Sequence, residues 1–180
     1  MSIGKKSFKK NTGLKCDISI RFQRMSDAHR FYTILSNPNF IYFPSRPKSL
    51  EEEKEWLKKS EEAKRANKHW SYTILFGSSV IGGIGIRINQ HRTYIGEIGY
   101  FLDEAYWGKG IVTRAVALVE AEGMKKLKLR RFEILMQPKN AASERVALKN
   151  GYKKEGRLRH ILQMADGRLK DAYLYAKIIR

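Results

Sequence analysis

Residues 96–119, GEIGYFLDEAYWGKGIVTRAVALV, limit the possible folds of this chain more than any other stretch. The apolar run 98–102 reads as extended, and a polar link, Asp103-Glu104-Ala105-Tyr106, carries it to Trp107-Gly108-Lys109-Gly110. From Ile111 the spacing turns helical, with Val112, Ala115, Val116 and Val119 on one stripe. The stretch is therefore expected to form a strand, a glycine-rich turn and a helix. The first amides of such a helix have no intrahelical partners and point outward, which makes the turn a site for a phosphate or pyrophosphate. Gly108 and Gly110 allow close approach of the backbone to an anion, and Lys109 adds a cation. A glycine pair alone describes equally well a loop before an ordinary buried helix. A dinucleotide fingerprint would need glycine where Thr113 stands, and no GxxxxGK[ST] run occurs, so neither motif is present.

The remaining elements follow from periodicity and caps. Residues 1–15 hold Lys5, Lys6, Lys9, Lys10 and Lys15 with little to bury, and are expected to be a basic flexible tail ahead of a single domain, 16–180. Ile18, Ile20 and Phe22 alternate with polar neighbours in a strand at 17–22. Ser26 or Asp27 can cap a helix to about residue 36. The aromatic stretch 39–44, closed by Pro44, is a loop that either covers core residues or walls an acceptor pocket. Ser49 with Glu52 forms a capping box for a helix to about 67, whose charges read as a solvated face. Strands at 70–76 and 80–88 flank a hairpin turn at Gly77-Ser78-Ser79, and Gly82, Gly83 and Gly85 mark a bulge or close backbone packing. After the central strand 94–102 and the helix 110–126 come a strand at 132–136, a helix at 141–150, a strand at 152–159, a turn at Asp166-Gly167 and a closing strand at 171–178. Strands first, then βαβαββ, give an α+β fold on one mixed sheet.

A second motif stands downstream. Pro138-Lys139-Asn140-Ala141-Ala142-Ser143 leads through Ala147 and Lys149 to Gly151-Tyr152, with the spacing N-x-x-S-x-x-x-x-x-x-x-G-[FY]. Together with Tyr106-Trp107-Gly108-Lys109-Gly110, in this order, it resembles the GNAT superfamily of N-acetyltransferases, in the branch of the RimJ/RimL ribosomal-protein N-terminal acetyltransferases. The wider superfamily's loop is [QR]-x-x-G-x-[GA]; here Trp107 takes the first position, as in that branch, and the bulkier Val112 the last.

The resemblance implies a GNAT-like acyl-CoA N-acyltransferase fold: a mixed, mostly antiparallel sheet with helices on both faces and a splayed strand pair holding the cofactor. It implies acetyl-CoA as co-substrate, no metal, and a primary amine as acceptor. Protein N-termini are the favoured acceptors, with small amines such as polyamines or aminoglycosides as the rival class. It places the acetyl-pantetheine arm along 99–102, with a backbone N–H near Tyr100 or Phe101 as oxyanion donor and Leu102 beside them. The pyrophosphate falls on the amides of Gly108, Lys109, Gly110, Ile111, Val112 and Thr113, next to Trp107. Asn140 contacts the pantetheine arm, Ser143 lies near the sulfur as proton donor, and Lys149 is either a 3′-phosphate contact or surface charge. Many relatives carry a tyrosine where this chain has Ala147, which leaves Ser143 or solvent as the acid.

The chemistry needs a base as well, because an amine at neutral pH is mostly protonated. Glu97, two residues before Gly99 on the same strand, is the candidate; the alternative is a strand glutamate paired with one of the many cations. Asn140 and Ser143, one helical turn apart, also read simply as a helix cap and a first-turn residue. The four histidines, His29, His69, His91 and His160, have no ligand spacing.

Charge and cysteine content bound the setting. Lys and Arg number 36 against 18 Asp and Glu, a net +18 that draws in anions generally. With no RNA-binding signature in the chain, the charge reads as that of a soluble basic enzyme, and contact with RNA or a ribosome, even as a module with an inert acetyltransferase-like core, is the alternative. One cysteine, Cys16, excludes an internal disulfide, and no apolar run approaches membrane-span length. The expectation is a soluble cytoplasmic protein, monomer or homodimer.

Overall fold

The structure, a computed structural model, describes residues 18–43 and 46–180. The expected basic tail and the first residue of the predicted first strand lie outside the described residues. In chain order the elements are β1 Ile18–Phe22, α1 Ala28–Leu35, α2 Leu50–Arg65, β2 His69–Phe76, β3 Ser79–Ile88, β4 Ile95–Leu102, α3 Ile111–Leu127, β5 Arg131–Met136, α4 Ala141–Lys149, β6 Lys153–Gln163 and β7 Leu169–Ile178. Seven strands form one sheet in the order β1-β2-β3-β4-β5-β7-β6. Every neighbouring pair is antiparallel except β4 with β5.

That parallel pair is short. β4 pairs with β3 all the way to Leu102, but with β5 only at Ile95↔Arg131, Gly96↔Phe132 and Glu97↔Glu133. Beyond Glu97 the two strands part, while β5 stays paired with β7 to Met136. The result is a V-shaped gap in the middle of the sheet.

Side-chain alternation along β4 sorts its residues between two cores. Ile98 and Leu102 join α3 residues Ala115, Val116 and Val119 in one cluster. Phe101 joins Phe31 of α1, Leu57 of α2 and Phe40 in the other. The gap therefore connects the two faces.

Local chemistry explains the elements that frame the gap. Ser49 Oγ accepts from Glu52 N at 3.1 Å, as the capping-box spacing predicts, and starts α2. At the base of α1, Asp27 occupies the cap position but its side chain makes no cap bond to the helix: it is buried, bonds Arg21 at 2.7 and 2.8 Å, accepts from Thr73 Oγ1 at 2.6 Å, and takes the Arg24 N–H at 2.9 Å. In β3 a Cβ on Gly82 would lie 2.3 Å from the Phe101 carbonyl oxygen, so close packing demands glycine there. A register shift at Ile74/Leu75 adds the bulge.

Two expectations are corrected. β6 runs on to Gln163 instead of ending near 159: a register shift between Leu158 and Leu162, with His160 at φ 51°, interrupts the alternation without ending the strand. The charges of α2 are not all solvated. Glu53 is buried on the stripe Glu53, Leu57, Ser60, which faces inward.

Candidate functional site

A cavity of about 940 Å³ occupies the gap and extends onto both faces of the sheet, at the upper end of the size usual for ligand sites. On one face it is lined by the glycine turn, the start of α3 and α4; on the other by α2, β2 and the 39–43 loop. The aromatic loop thus walls the cavity as well as covering core residues: Phe40 packs edge-on against Trp107 at 5.6 Å, and Phe43 against Phe101 at 5.7 Å.

The edge of β4 supplies backbone groups. Asp103 donates its N–H to Ile81 O on β3 at 2.8 Å. By the two-residue alternation of a strand, Gly99 and Phe101 then present their backbone to β3, and Ile98, Tyr100 and Leu102 present theirs to the gap. Leu102 O is taken up by Trp107 Nε1 at 2.7 Å. Tyr100 N–H lies beyond the last β4–β5 pair, so no neighbouring strand uses it. Of the two donors expected from sequence, geometry leaves Tyr100 facing the gap.

The turn is built as its glycines require. Gly108 and Gly110 both have φ 74°, in the left-handed region where a side chain is strained, and a Cβ at either would meet nothing within 4 Å. Gly110 is the N-cap of the 17-residue α3, and Arg114 N is the first amide bonded back, to Gly110 O at 3.2 Å. The N–H groups of Ile111, Val112 and Thr113 are therefore the unpaired ones, and all three residues line the cavity.

Lys109 departs from the expectation. It does not line the cavity, because its ammonium turns back to Ala105 O at 2.9 Å and lies 5.3 Å from the Tyr106 ring. The cations at this end are instead Lys139, Arg145 and Lys149, of which only Lys149 was singled out from sequence.

Asn140 and Ser143 line the cavity and also cap α4: Asn140 Oδ1 accepts from Ser143 N at 3.1 Å. Ala147 is fully buried behind them. The Tyr100 hydroxyl is shielded from solvent on the same side; burial pushes its pKa up to about 12, with Ser143 working in the opposite direction. Asp103 and Glu104 stay outside the site. Asp103 caps the following turn through Ala105 N and pairs with Arg30, and Glu104 binds Asn37 and Asn39.

Glu97 stands in a row across four strands, His69–Arg87–Glu97–Glu133, set by the register. Burial raises its pKa above the ordinary carboxylate value; Arg87 pulls it down and Glu133 adds to the rise. His69, also lining the cavity, is pushed down to about 4 by burial and by Arg87, so its imidazole is neutral.

Glu53 was missed from sequence. It is 4 % exposed and lines the cavity, and burial with the neighbouring Glu52 pushes its pKa up to about 7. A carboxyl raised from 4.5 to about 7 costs the fold nothing while protonated. The cost appears as pH rises above the unfolded value and is complete once the folded group ionises. Glu53→Gln is therefore expected to stabilise the protein by on the order of 1–3 kcal/mol at pH 8 and negligibly near pH 4. Urea midpoints at the two pH values check it.

The observed residues fit an acyl-CoA thioester. Free α3 amides and three cations suit its phosphates, and the unpaired β4 edge suits its amide-bearing arm. No group of three or more His, Cys, Asp or Glu that could hold a metal occurs among the described residues.

Comparison with known proteins agrees. The description "Acetyltransferase (GNAT) domain" matches residues 18–153. A probable N-acetyltransferase, YjcK of Bacillus subtilis, is 34% identical over 149 residues, 81% of this chain and 75% of that protein. The ribosomal-protein-serine acetyltransferase of Escherichia coli is 34% identical over 108 residues, 60% of each chain. Among solved structures, RimL, a ribosomal L7/L12 alpha-N-protein acetyltransferase in complex with coenzyme A, superposes with TM-score 0.81 at 22% identity, covering 90% of this chain and 94% of that one. The ribosomal-protein-S5-alanine acetyltransferase from Vibrio fischeri gives 0.78 at 26% identity, covering 89% and 92%. With the family matched over most of its length and a GNAT sheet opened between β4 and β5, the chain belongs to the GNAT acetyltransferases and is an N-acetyltransferase that uses acetyl-CoA.

Proposed function

We propose that this enzyme acetylates the N-terminal α-amino group of a protein. The observation that carries the reading is the through-going cavity: it is continuous from the α3 turn to the α2 face, so an extended chain end entering beneath the 39–43 loop can reach the β4 edge. Likeness to the ribosomal-protein-serine acetyltransferase supports the same acceptor class. The net charge of +18 supports approach to an anionic ribosome carrying that chain.

Acetyl-CoA, when bound, supplies an activated acetyl group as a thioester. In this reading the amides of Ile111, Val112 and Thr113 hold the pyrophosphate, Asn140 orients the arm, and Lys149 meets the remaining phosphate. Glu97, directly or through a water, takes the proton that the acceptor ammonium must lose for its nitrogen to attack. Tyr100 N–H donates to the acyl oxygen as charge collects there, at a site that costs no reorganisation because the backbone is already fixed. Ser143 Oγ–H gives the proton to the departing sulfur and is restored from solvent.

Thiol release with saturating acetyl-CoA tests the acceptor. Peptides with a free N-terminus are expected to turn over at least about tenfold faster, in kcat/KM, than their N-blocked forms or butylamine. Turnover of spermidine with none on a peptide panel would reverse the assignment.

A further inference from the structure

The two ends of the cavity carry opposite charge. Lys139, Arg145 and Lys149 line the end at α4, where the cofactor phosphates belong, whereas Glu52, Glu53 and Glu97 line the side toward α2, with Arg87 their only cation among the cavity residues there. In a chain of net charge +18 this acidic half is local and built in.

Glu53 is its unexplained member. It is more than nine-tenths buried and lines the cavity, and its carboxylate has no hydrogen-bond or ion-pair partner among the described residues. A buried carboxylate without a partner is costly, and a site that retains one is suited to a ligand bringing the missing charge. Two further polar atoms from residues lining the same cavity, Gln23 Oε1 and Ser71 Oγ, are shielded from solvent and unpartnered, and both can accept from a cationic group. Trp56, one turn along α2 from Glu53, lies edge-on to the neutral His69 at 6.4 Å and supplies an apolar wall.

Glu53 is carried by α2, a different element from the β4 edge where transfer is proposed. α2 packs against β2, which is separated from β4 by β3, and β2 and β4 therefore lie roughly 10 Å apart in the sheet. The nitrogen that receives the acetyl group belongs beside Glu97 and the Tyr100 N–H.

We propose that Glu53 pairs with a second cationic group of the acceptor, distinct from the amine that is acetylated, so that preferred acceptors are dications. This rests on the acetyltransfer reading above. The same chemistry is offered by an N-terminal peptide with a lysine or arginine side chain close behind its α-amine, and by a small diamine.

Two matched pairs separate these sources: Ser-Lys against Ser-norleucine peptides, and 1,4-diaminobutane against butylamine, each assayed by thiol release with the wild-type enzyme, Glu53→Gln and Glu53→Asp. The wild type is expected to prefer the dicationic member of at least one pair by about tenfold or more in kcat/KM, through KM. The pair that shows the preference identifies the source. Glu53→Gln brings the ratio to about one with kcat and acetyl-CoA affinity retained, and Glu53→Asp, which keeps the charge, keeps a preference. A wild-type ratio near one in both pairs, or a ratio that survives in Glu53→Gln, overturns the proposal while leaving acetyltransfer intact. Absence of turnover on every amine, with acetyl-CoA still bound in calorimetry, overturns the amine-acceptor reading and this proposal with it.

Discussion

Gly110→Val is expected to weaken acetyl-CoA binding by about 10²-fold or more while leaving the protein folded. Gly110 sits at φ 74° as the N-cap of α3, where a β-branched residue costs about 1–2 kcal/mol of backbone strain. Nothing lies within 4 Å of a Cβ built there, so no core contact is lost and the penalty to stability ends with the strain. That open space adjoins the turn at which the amides of Ile111, Val112 and Thr113 are unpaired. Two methyl groups in it displace an anion from the amides and let the helix relax away from the left-handed cap. Hydrogen bonds to a charged partner are worth about 1.5–3 kcal/mol each, and the loss of two accounts for the expected factor. Calorimetric titration with acetyl-CoA, beside a thermal melt of the same sample, measures both quantities. Gly108→Ala, equally strained but with only one methyl, is expected to lose about tenfold. Wild-type affinity in a folded Gly110→Val protein would mean that the pyrophosphate does not sit on the α3 turn.

Much of this architecture could be read along the chain because its signals are local. The switch from extended to helical periodicity at Ile111, the Ser49 cap and the glycine turns each depend on neighbours in sequence, and the structure has α2, α3, α4 and β2 to β5 within a few residues of expectation. The gap between β4 and β5 is different. The run Ile98-Gly99-Tyr100-Phe101-Leu102 has the same composition whether its second edge is paired or open, and only the register at Glu97↔Glu133 decides where pairing stops. The resemblance to an acetyltransferase family predicted the gap; periodicity alone does not. Glu53 was missed because a run of charged residues at 51–55 reads as a solvated helix face. A usable signal was present in Glu53, Leu57 and Ser60, spaced i, i+4, i+7 on one stripe, with a carboxylate where an apolar residue would be expected. Lys109 shows the opposite limit: sequence places its charge at the turn, but the side chain is long enough to fold back onto Ala105 O.

Glu97→Gln is expected to lower kcat by about 10²-fold or more, with acetyl-CoA affinity unchanged, and to remove the part of the acidic limb of the pH–rate profile that Glu97 contributes. A base must be ionised to accept a proton, so the rate falls as pH drops through the folded pKa of Glu97, and anything that raises that pKa moves the limb toward alkaline pH. Burial raises it, Glu133 on the neighbouring strand raises it further, and Arg87 on the other side holds it down. Arg87→Met is thus expected to move the limb upward and Glu133→Gln to move it downward, although neither variant alters a group that takes the proton. Glu133 is itself paired with Arg131 at 2.6 Å, which also bonds Glu155, so its influence is partly neutralised and its shift should be the smaller. In Glu97→Gln the remaining dependence is that of the acceptor amine alone, rising toward the amine's own pKa. Steady-state kcat and KM from pH 5 to 9 for the four proteins separate these outcomes. Opposite displacement of the limb by Arg87→Met and Glu133→Gln is what a strand glutamate serving only as an ion-pair partner could not produce, and a Glu97→Gln enzyme with wild-type kcat would remove the base from the site.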